Sequence, residues 1–226
     1  MTKDLSAATL KHGKAMMTAR LSQVSRHLLN YNYRSLPGTA KMRQAAVAIV
    51  IRDLEPHNQQ GLEVLLIRRA EHPRDPWSGH MAFPGGRVDQ EDSSPFAAAQ
   101  RETLEEVGLS LQANADPVGR LSHLMVKAHQ RIAPMVITPY LFALTSTTTL
   151  LLEPDEVQEA IWVPVSFFGD TNNRSTFTQN FGGVPLSWPC CQYQGRVVWG
   201  LTLKMLDELM KTLSKMPSAH DIAHRL

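Results

Sequence analysis

The residues that could do chemistry are concentrated in one short stretch, where three glutamates follow a pair of adjacent glycines. Glu102 and Glu106 are four residues apart and Glu105 is three from Glu102, so a helix would bring them to one face or its border. Like charges at this spacing destabilise a helix by a few tenths of a kcal/mol per pair. A hard cation with oxygen ligands would offset that repulsion. The pattern therefore indicates either a divalent-metal site or a solvated acidic face.

The glycines at 85–86 favour the metal interpretation, because backbone without side chains can come close to a metal or a phosphate. The glutamates lie in a segment with helix signals at both ends. Ser94 can cap the first turn, Pro95 suits the first helical position, and Gly108 suits the position after the last turn. The sequence thus predicts a helix over 94–108.

The segment from Gly86 to Leu109 resembles the Nudix box, G-x5-E-x7-R-E-U-x-E-E-x-G-U, in which U is aliphatic. Gly86 opens the box, and its closing half is in register at Arg101, Glu102, Glu105, Glu106, Gly108 and Leu109. The sequence departs from the pattern at Asp92, which stands at the first acidic position, and at Thr103, which stands at an aliphatic one. One extra residue also separates Asp92 from Arg101.

The opening of the box is similar to that of a coenzyme A pyrophosphatase subgroup, G-G-x-x-D-x-x-D with the same length to R-E. The matching residues are Gly85, Gly86, Asp89, Asp92, Arg101 and Glu102. The upstream signature of that subgroup is matched at Leu65, Leu66, Arg69, Gly79 and Phe83 to Gly86, and residues 197–202 resemble its late W-G-x-T segment. Its L-R-x-H element is not matched, since Arg74, Asp75 and Trp77 stand there.

The resemblance implies an enzyme that hydrolyses a diphosphate joined to another moiety, with Mg²⁺ or Mn²⁺ as cofactor. It implies Glu102 and Glu106 as metal ligands and Glu105 as a third ligand or a group that positions water. Gly86 would add a backbone carbonyl. Arg101 would orient the glutamates through ion pairs rather than touch the substrate.

A base must deprotonate the attacking water. In this family it comes from the box helix or from a later loop, and Glu156, in the sequence Glu153-Pro-Asp-Glu156, is the candidate outside the helix. A surface acid beside a turn is the equal alternative for Glu156. The candidates for substrate binding are Arg69, Arg87, Gly85, Gly86 and His80. Surface charge for either arginine and a structural role for His80 stay open.

The elements around the box predict a mixed α/β (α+β) fold, a Nudix-type α/β/α sandwich with an extra N-terminal helix. The predicted strands are Ala45–Ile51 and Leu62–Arg68, as an antiparallel pair, then Pro117–Met125, Met135–Leu144 and Ala160–Val163. Amphipathic periodicity predicts helices over 5–30 and 198–213. Residues 71–82, 120–134 and 166–196 are interpreted as loops that determine substrate choice. The predicted domains are an N-terminal helical arm (1–36), a hydrolase domain (37–216) and a tail (217–226).

The composition sets limits on partners and location. Of 226 residues, 1–52 carry a net charge of +8 and the remainder −6, so a basic arm precedes an acidic body that suits a divalent-metal enzyme. With two adjacent cysteines and no run of about 18 apolar residues, we expect a reducing compartment, no disulfide framework and no transmembrane helix. The expected location is cytoplasmic; an organelle-targeting role of the basic helix is the alternative.

Three functions remain in competition. The leading hypothesis is hydrolysis of coenzyme A, an acyl-coenzyme A or a related nucleotide diphosphate, by a chain that forms a homodimer as relatives often do. An ADP-ribose or nucleotide-sugar pyrophosphatase is the rival enzyme, and a non-catalytic Nudix-fold binding module is the rival from another class. Nucleic acid is not an expected partner, because the basic arm lacks the interleaved aromatics of single-strand binders. The sequence has no GxSxG elbow, Walker lysine loop or Rossmann glycine fingerprint.

Overall fold

The computed structural model describes residues 17–53, 61–73, 77–126, 134–146, 148–181 and 183–216. Their strands are β1 (Arg43–Asp53), β2 (Leu62–Arg69), β3 (Met81–Ala82), β4 (Gly85–Arg87), β5 (Ala115–Arg120), β6 (Leu124–Val126), β7 (Met135–Leu144), β8 (Val157–Pro164), β9 (Arg174–Phe181), β10 (Val184–Tyr193) and β11 (Arg196–Trp199). Their α-helices are α1 (Ala19–Leu29), α2 (Pro95–Val107), α3 (Leu111–Asn114), α4 (Val165–Gly169) and α5 (Gly200–Leu213). Single 3₁₀ turns lie at Thr39–Lys41 and Thr171–Asn173.

An eight-stranded mixed sheet forms the centre of the fold, and β1 is its central strand. β1 runs parallel to β7 and antiparallel to β2 and β4. β5 and β6 pair antiparallel with β7, and β3 and β8 pair antiparallel with β2. The predicted antiparallel pair and the predicted strands at 135–144 and 160–163 are confirmed, with ends that differ by at most a few residues.

Helices cover both faces of this sheet because its central strands are apolar on both sides. Ile49 and Ile51 of β1 pack with α1, α4 and α5, whereas Ala48 and Val50 pack with α2 and α3. Burial on both faces explains why β1 is a continuous apolar run rather than an alternating one. The predicted three-layer arrangement is confirmed.

The helix α1 packs on this core through Leu21, Val24 and Leu28, which are all buried. Thr18 caps the helix by accepting the N–H of Leu21 at its Oγ1. The predicted extra N-terminal helix is thus present at Ala19–Leu29, and residues 5–16 of its predicted span lie outside the described residues. The arm and tail boundaries after 36 and 216 stay predictions.

Two boundaries predicted from the sequence are wrong. The single strand at 117–125 is two strands, since at Ser122 and His123 the chain leaves the ladder and its N–H groups bind Glu208 Oε1 and the Arg34 carbonyl. The helix predicted over 198–213 begins at Gly200, because residues 196–199 form β11 and pair with β10.

The interpretation of 166–196 as a loop is also wrong. This region contains most of α4, a 3₁₀ turn, and the strands β9 and β10. With β11 these strands form a second, antiparallel sheet in the order β11-β10-β9. Ion pairs connect this sheet to the main body, from Arg174 to Asp207 of α5 and from Arg196 to Glu159 of β8. Among the described residues, no helix is long and apolar enough to cross a membrane.

Candidate active site

The helix α2 has the caps that its sequence predicts. Ser94 Oγ accepts the N–H of Ala97, Pro95 opens the helix, and Gly108 ends it in the left-handed conformation at a φ of +67°. A Cβ at Gly108 would lie 2.9 Å from the Cβ of Leu151, so the position has no room for a side chain. Both ends of the helix that carries the glutamates are therefore fixed by local sequence.

Three carboxylates converge beside this helix. Glu102, Glu106 and Glu156 each offer one oxygen, and these oxygens lie within 4.8 Å of one another. We call these three residues the carboxylate group. The side chain of Glu106 is 3% exposed, whereas Glu156 is exposed. Glu105 is not part of the group; its side chain is 52% exposed and binds Arg101.

The two glycines pack directly against these carboxylates. The Gly85 N–H donates a 2.8 Å hydrogen bond to Glu106 Oε2. A Cβ at Gly86 would lie 2.4 Å from the Glu102 carboxyl carbon, and one at Gly85 would lie 2.3 Å from the Ala46 carbonyl oxygen. The glycine pair is thus required by close approach, on one side to β1 and on the other to the helix glutamates.

Backbone hydrogen bonds bring the distant Glu156 to the helix. The carbonyls of Glu106 and Val107, at the helix end where intrahelical donors run out, accept the N–H groups of Glu153 and Leu151. The Glu156 carbonyl accepts the N–H of Ala70, just after β2, at 2.8 Å. The loop before β8 is therefore held against the helix and against β2.

Two members of the carboxylate group have raised pKa values. Burial raises the pKa of Glu106 to about 8, and repulsion from Glu102 adds to this, although the Gly85 N–H and Arg69 oppose it. Burial also raises the pKa of Glu102. Arg69 Nη1 lies 3.9 Å from Glu106 Oε1, beyond hydrogen-bond length. A cation bound between these carboxylates would stabilise their charged forms and so lower both pKa values.

Arg101 binds a second set of carboxylates, which shares Glu102 with the carboxylate group. Its Nε and Nη2 donate to both oxygens of Asp92, at 3.0 and 2.9 Å, and its Nη1 donates to Glu105 at 2.8 Å. Nη1 also lies 3.1 Å from Glu102 Oε1, and Nη2 donates to the Arg87 carbonyl. These hydrogen bonds hold the pKa of Asp92 below its usual range. The short Asp92 side chain thus reaches Arg101 despite the extra residue between them.

The other predicted binding residues lie around the group at different distances. Arg69 is half-buried and reaches toward Glu106, while Arg87 is exposed. The His80 carbonyl accepts the Arg69 N–H at 3.0 Å, so His80 lies opposite Arg69 across the strands. Trp77 is part of a small cluster with Ala45 and Met135. Arg74 and Asp75 lie outside the described residues.

Sequence reasoning missed an aromatic cluster beside His80. The Trp199 and His80 rings meet in a T-shaped arrangement with centroids 4.9 Å apart, and Trp199 also contacts Phe177 at 4.7 Å and Trp188 at 6.0 Å. Phe177 and Trp188 are in the second sheet, which the sequence did not predict. The signal that could have found them is the apolar alternation at 184, 186 and 188.

The comparisons with known proteins agree with this geometry. The NUDIX domain family model matches residues 42–181, and the chain belongs to the Nudix family. It is 31% identical to an uncharacterized Nudix hydrolase, NudL, of Salmonella heidelberg (strain SL476), over 95% of this chain and all of that one. It is 34% identical to the uncharacterized protein C14C4.10c of Schizosaccharomyces pombe, over 56% of this chain but only 43% of that protein.

A solved structure shows the same fold. The MutT/nudix family protein from Enterococcus faecalis superposes with a TM-score of 0.50 and 16% identity, over 92% of this chain and 80% of that one. The family match and the NudL relative confirm the predicted class of enzyme: a Nudix hydrolase, a pyrophosphatase that acts on phosphorus-containing anhydrides of nucleoside diphosphate derivatives.

Proposed function

We propose that this chain hydrolyses coenzyme A or an acyl-coenzyme A with the help of Mg²⁺ or Mn²⁺, to adenosine 3′,5′-bisphosphate and phosphopantetheine or its acyl form. The observation that supports metal-dependent hydrolysis is the carboxylate group, with oxygens of Glu102, Glu106 and Glu156 within 4.8 Å of one another. The choice of coenzyme A rests on the resemblance at 85–102 and 197–202. A homodimer and a cytoplasmic location stay predictions.

The residues present fit a hard divalent cation. The donors are carboxylate oxygens, which such ions prefer, and the buried Glu106 has a pKa of about 8 that a nearby cation would lower. In this proposal Glu102 and Glu106 hold the ion, with the Gly86 carbonyl as a further ligand. Glu105 is a third ligand or positions water. When bound there, the ion would neutralise charge on the diphosphate and orient the attacking water.

The protein groups divide the remaining work. Glu156 is the exposed member of the carboxylate group and acts as the base that takes the proton of the attacking water. Arg69, whose Nη1 lies 3.9 Å from Glu106 Oε1, binds a phosphate oxygen, and the exposed Arg87 binds another. Gly85 and Gly86 let the substrate approach the backbone closely. His80 lies where the rest of the substrate leaves the diphosphate.

Arg101 is a positioning residue in this scheme. Its donors are directed at Asp92 and Glu105, and its guanidinium lies 3.1 Å from Glu102. It therefore fixes the helix carboxylates without being directed at the substrate.

A second substrate class stays open because of the unmatched L-R-x-H element. With Arg74, Asp75 and Trp77 in its place, an ADP-ribose or nucleotide-sugar substrate is the alternative within the same chemistry. A non-catalytic module is less consistent with the sequence, since such a module has no need to keep Glu102, Glu105 and Glu106.

A substrate panel with product mass analysis tests the proposal. Coenzyme A, acyl-coenzyme A, ADP-ribose and nucleotide sugars are each incubated with Mg²⁺ and with Mn²⁺, beside a Glu106→Gln control. Selective formation of adenosine 3′,5′-bisphosphate, absent in the control, is the expected result. Cleavage of ADP-ribose or a nucleotide sugar in preference to coenzyme A would refute the proposed substrate, and no turnover at all would favour the binding module.

A further inference from the structure

One half-buried arginine differs from the others in its surroundings. Within the described ranges the half-buried arginines are Arg20, Arg52, Arg68, Arg69, Arg101, Arg120 and Arg196. Six of them lie within 3.9 Å of a carboxylate oxygen. The exception is Arg120 on β5, which forms no ion pair with a carboxylate in the part of the chain that the structure describes.

Aromatic rings and hydroxyl groups surround Arg120 instead. Its Cζ lies 3.9 Å from the centroid of the Tyr33 ring, and its Nη2 donates a 2.7 Å hydrogen bond to Ser35 Oγ. Tyr140 is its cross-strand partner on β7, so the two side chains lie on the same face of the sheet. The Arg120 Nε is buried and has no hydrogen-bond partner among the described residues. We call Tyr33, Ser35, Arg120, His123 and Tyr140 the Arg120 cluster.

Hydrogen bonds fix His123 in this cluster. The Arg34 carbonyl accepts the His123 N–H at 3.0 Å, and the Leu36 N–H donates to His123 Nδ1 at 3.2 Å. Because Nδ1 is an acceptor, the ring proton of the neutral imidazole is at Nε2. Burial and the charge of Arg120 lower the pKa of His123, which keeps the ring neutral. His123 therefore adds a second N–H donor near the guanidinium.

The donors of the cluster fit an oxyanion from outside the protein. Burying a guanidinium is costly unless it is paired and hydrogen-bonded, and a ring face offsets only part of that cost. Its planar fork of N–H groups matches the oxygens of carboxylates and phosphates. A phosphate monoester suits the cluster better than a carboxylate, because its three terminal oxygens can accept from the guanidinium, the imidazole and a hydroxyl at the same time.

The Arg120 cluster lies apart from the carboxylate group. In the strand order β2-β1-β7-β5, Arg69 is on β2 and Arg120 is on β5. Three strand spacings of about 4.8 Å separate these strands, roughly 14 Å across the sheet. The two phosphates of one diphosphate share a bridging oxygen and cannot span that separation. A phosphate at Arg120 is therefore a different group from the diphosphate that is hydrolysed.

We propose that the Arg120 cluster binds a phosphate monoester at a site separate from the carboxylate group. Arg120 and His123 Nε2 donate to the phosphate oxygens, the Ser35 hydroxyl completes the donor set, and the Tyr33 ring holds the guanidinium plane. The same chemistry is offered by the ribose phosphate of a coenzyme A substrate and by a separate phosphorylated metabolite. The inference does not depend on the proposed coenzyme A activity.

Phosphate titration of the metal-free protein tests the inference. Backbone amide chemical shifts are followed in EDTA while inorganic phosphate, AMP, adenosine or acetate is added. We expect inorganic phosphate and AMP to shift the amides of residues 33–36 and 120–123 at millimolar concentrations, whereas adenosine, which has no phosphate, should leave them unchanged. Shifts that spare these residues would overturn the inference, and acetate that binds as tightly as phosphate would contradict the phosphate class.

Three variants assign the binding to Arg120. Arg120→Gln should abolish the shifts, and Arg120→Lys, which keeps the charge but loses the planar fork, should weaken binding by about tenfold. The matched control Arg34→Gln removes an exposed charge of the same segment and should bind phosphate like the wild type. Shifts that persist in Arg120→Gln and Arg120→Lys would overturn the inference, even if one of the two variants is poorly folded.

Kinetics distinguish the two sources of the phosphate. The kcat/KM for coenzyme A is compared with that for dephospho-coenzyme A, which lacks the ribose phosphate, in the wild type and in Arg120→Gln. A wild-type preference of about tenfold for coenzyme A that Arg120→Gln removes would identify the phosphate of the substrate. Equal values in the wild type, with the amide shifts present, would identify a separate metabolite. If neither compound is hydrolysed, the coenzyme A proposal fails, and the titration still decides the role of the Arg120 cluster.

Discussion

Helix α2 carries two adjoining clusters of charged residues that contain the same kinds of side chain, share Glu102 and differ in charge balance. In the first cluster Arg101 donates to Asp92 and Glu105 and lies close to Glu102, and the pKa of Asp92 is lowered as a result. In the second cluster, the carboxylate group, Glu106 lies 3.9 Å from Arg69, and burial raises the pKa of Glu106 to about 8.

The difference indicates different purposes. A cluster whose charges are paired and hydrogen-bonded holds its members in place, and it needs nothing from outside the protein. A buried carboxylate without a close cation is unstable as an anion, and such a site is typical of places where function, not stability, selects the residues. Glu102 belongs to both clusters, so its contact with Arg101 can fix the position that its carboxylate takes in the carboxylate group.

The largest effect is expected from Glu106→Gln. The amide keeps the size of the side chain and can still accept the Gly85 N–H, but it loses the charge that would hold the cation. We expect kcat/KM to fall by about 10³-fold or more, measured on the best substrate of the panel at saturating Mg²⁺. Retention of a tenth of the wild-type activity would show that the buried side of the helix is not the metal site.

The same variant should stabilise the metal-free protein. Because the pKa of folded Glu106 is raised above 4.5, its contribution to stability is complete at low pH and is lost as the pH rises toward about 8. Relative to Glu106→Gln, the wild type in EDTA should therefore lose about 3 kcal/mol of unfolding free energy by pH 7.

Urea unfolding of both proteins at pH 5, 6, 7 and 8 measures this difference. Added Mg²⁺ should restore the wild type more strongly at pH 8 than at pH 5 and should leave the variant unchanged. Stability curves that run parallel across this pH range would mean that Glu106 carries no such penalty, and the contrast between the two clusters would disappear.

The paired side is tested by Asp92→Asn. Asp92 is 6% exposed at its side chain and accepts two hydrogen bonds from Arg101, so its loss should cost about 2 kcal/mol of unfolding free energy. Activity should fall by about 10 to 100-fold, mainly in kcat, because Arg101 no longer holds Glu102 and Glu105 in position. The exposed Asp89 lies 3.5 Å from Arg101 and provides the matched control Asp89→Asn. This control should leave both the unfolding free energy and the activity close to their wild-type values.

The stability difference between wild type and Asp92→Asn has its own pH dependence. The pKa of Asp92 is lowered in the folded state, so its contribution is present above the ordinary pKa of 3.8 and is lost as the pH falls. A difference that stayed constant from pH 7 down to pH 2 would contradict the ion pair with Arg101 as its source.

Local signals explain why the sequence predicted the helix that carries Glu102 and Glu106. The spacing of Glu102 and Glu106 depends only on helical periodicity, and the caps at Ser94 and Gly108 depend only on backbone chemistry. The convergence of Glu156 is different, since it depends on backbone hydrogen bonds from the loop before β8 to the end of α2. Its candidacy was predictable from position, but its approach to Glu106 was not.

The second sheet was missed because its prolines hide the strand signal. Pro185 and Pro189 interrupt β10, and a proline cannot donate to a ladder. Both positions pair with β9 on one side only, since β11 begins its pairing at Cys190. A missing N–H costs nothing at such an open edge, so the strand forms where the sequence pattern argues against it.

The smallest effect is expected from Glu105→Gln, which tests whether Glu105 contributes only to the cluster around Arg101 or also to the metal site. Glu105 is next to Glu106 in sequence, yet its side chain is half-exposed and accepts its hydrogen bond from Arg101. If Glu105 only positions water, or contacts the cation through a water molecule, the variant should lose about tenfold in kcat/KM. Its free energy of unfolding should hardly change, because exposed ion pairs contribute little to stability. Parallel kinetics of Glu105→Gln and Glu106→Gln on one substrate, with Mg²⁺ titrated in each, measure the ratio. A loss as large as that of Glu106→Gln would mean that Glu105 breaks its ion pair with Arg101 and binds the cation directly. The cluster around Arg101 would then supply a metal ligand in addition to positioning Glu102.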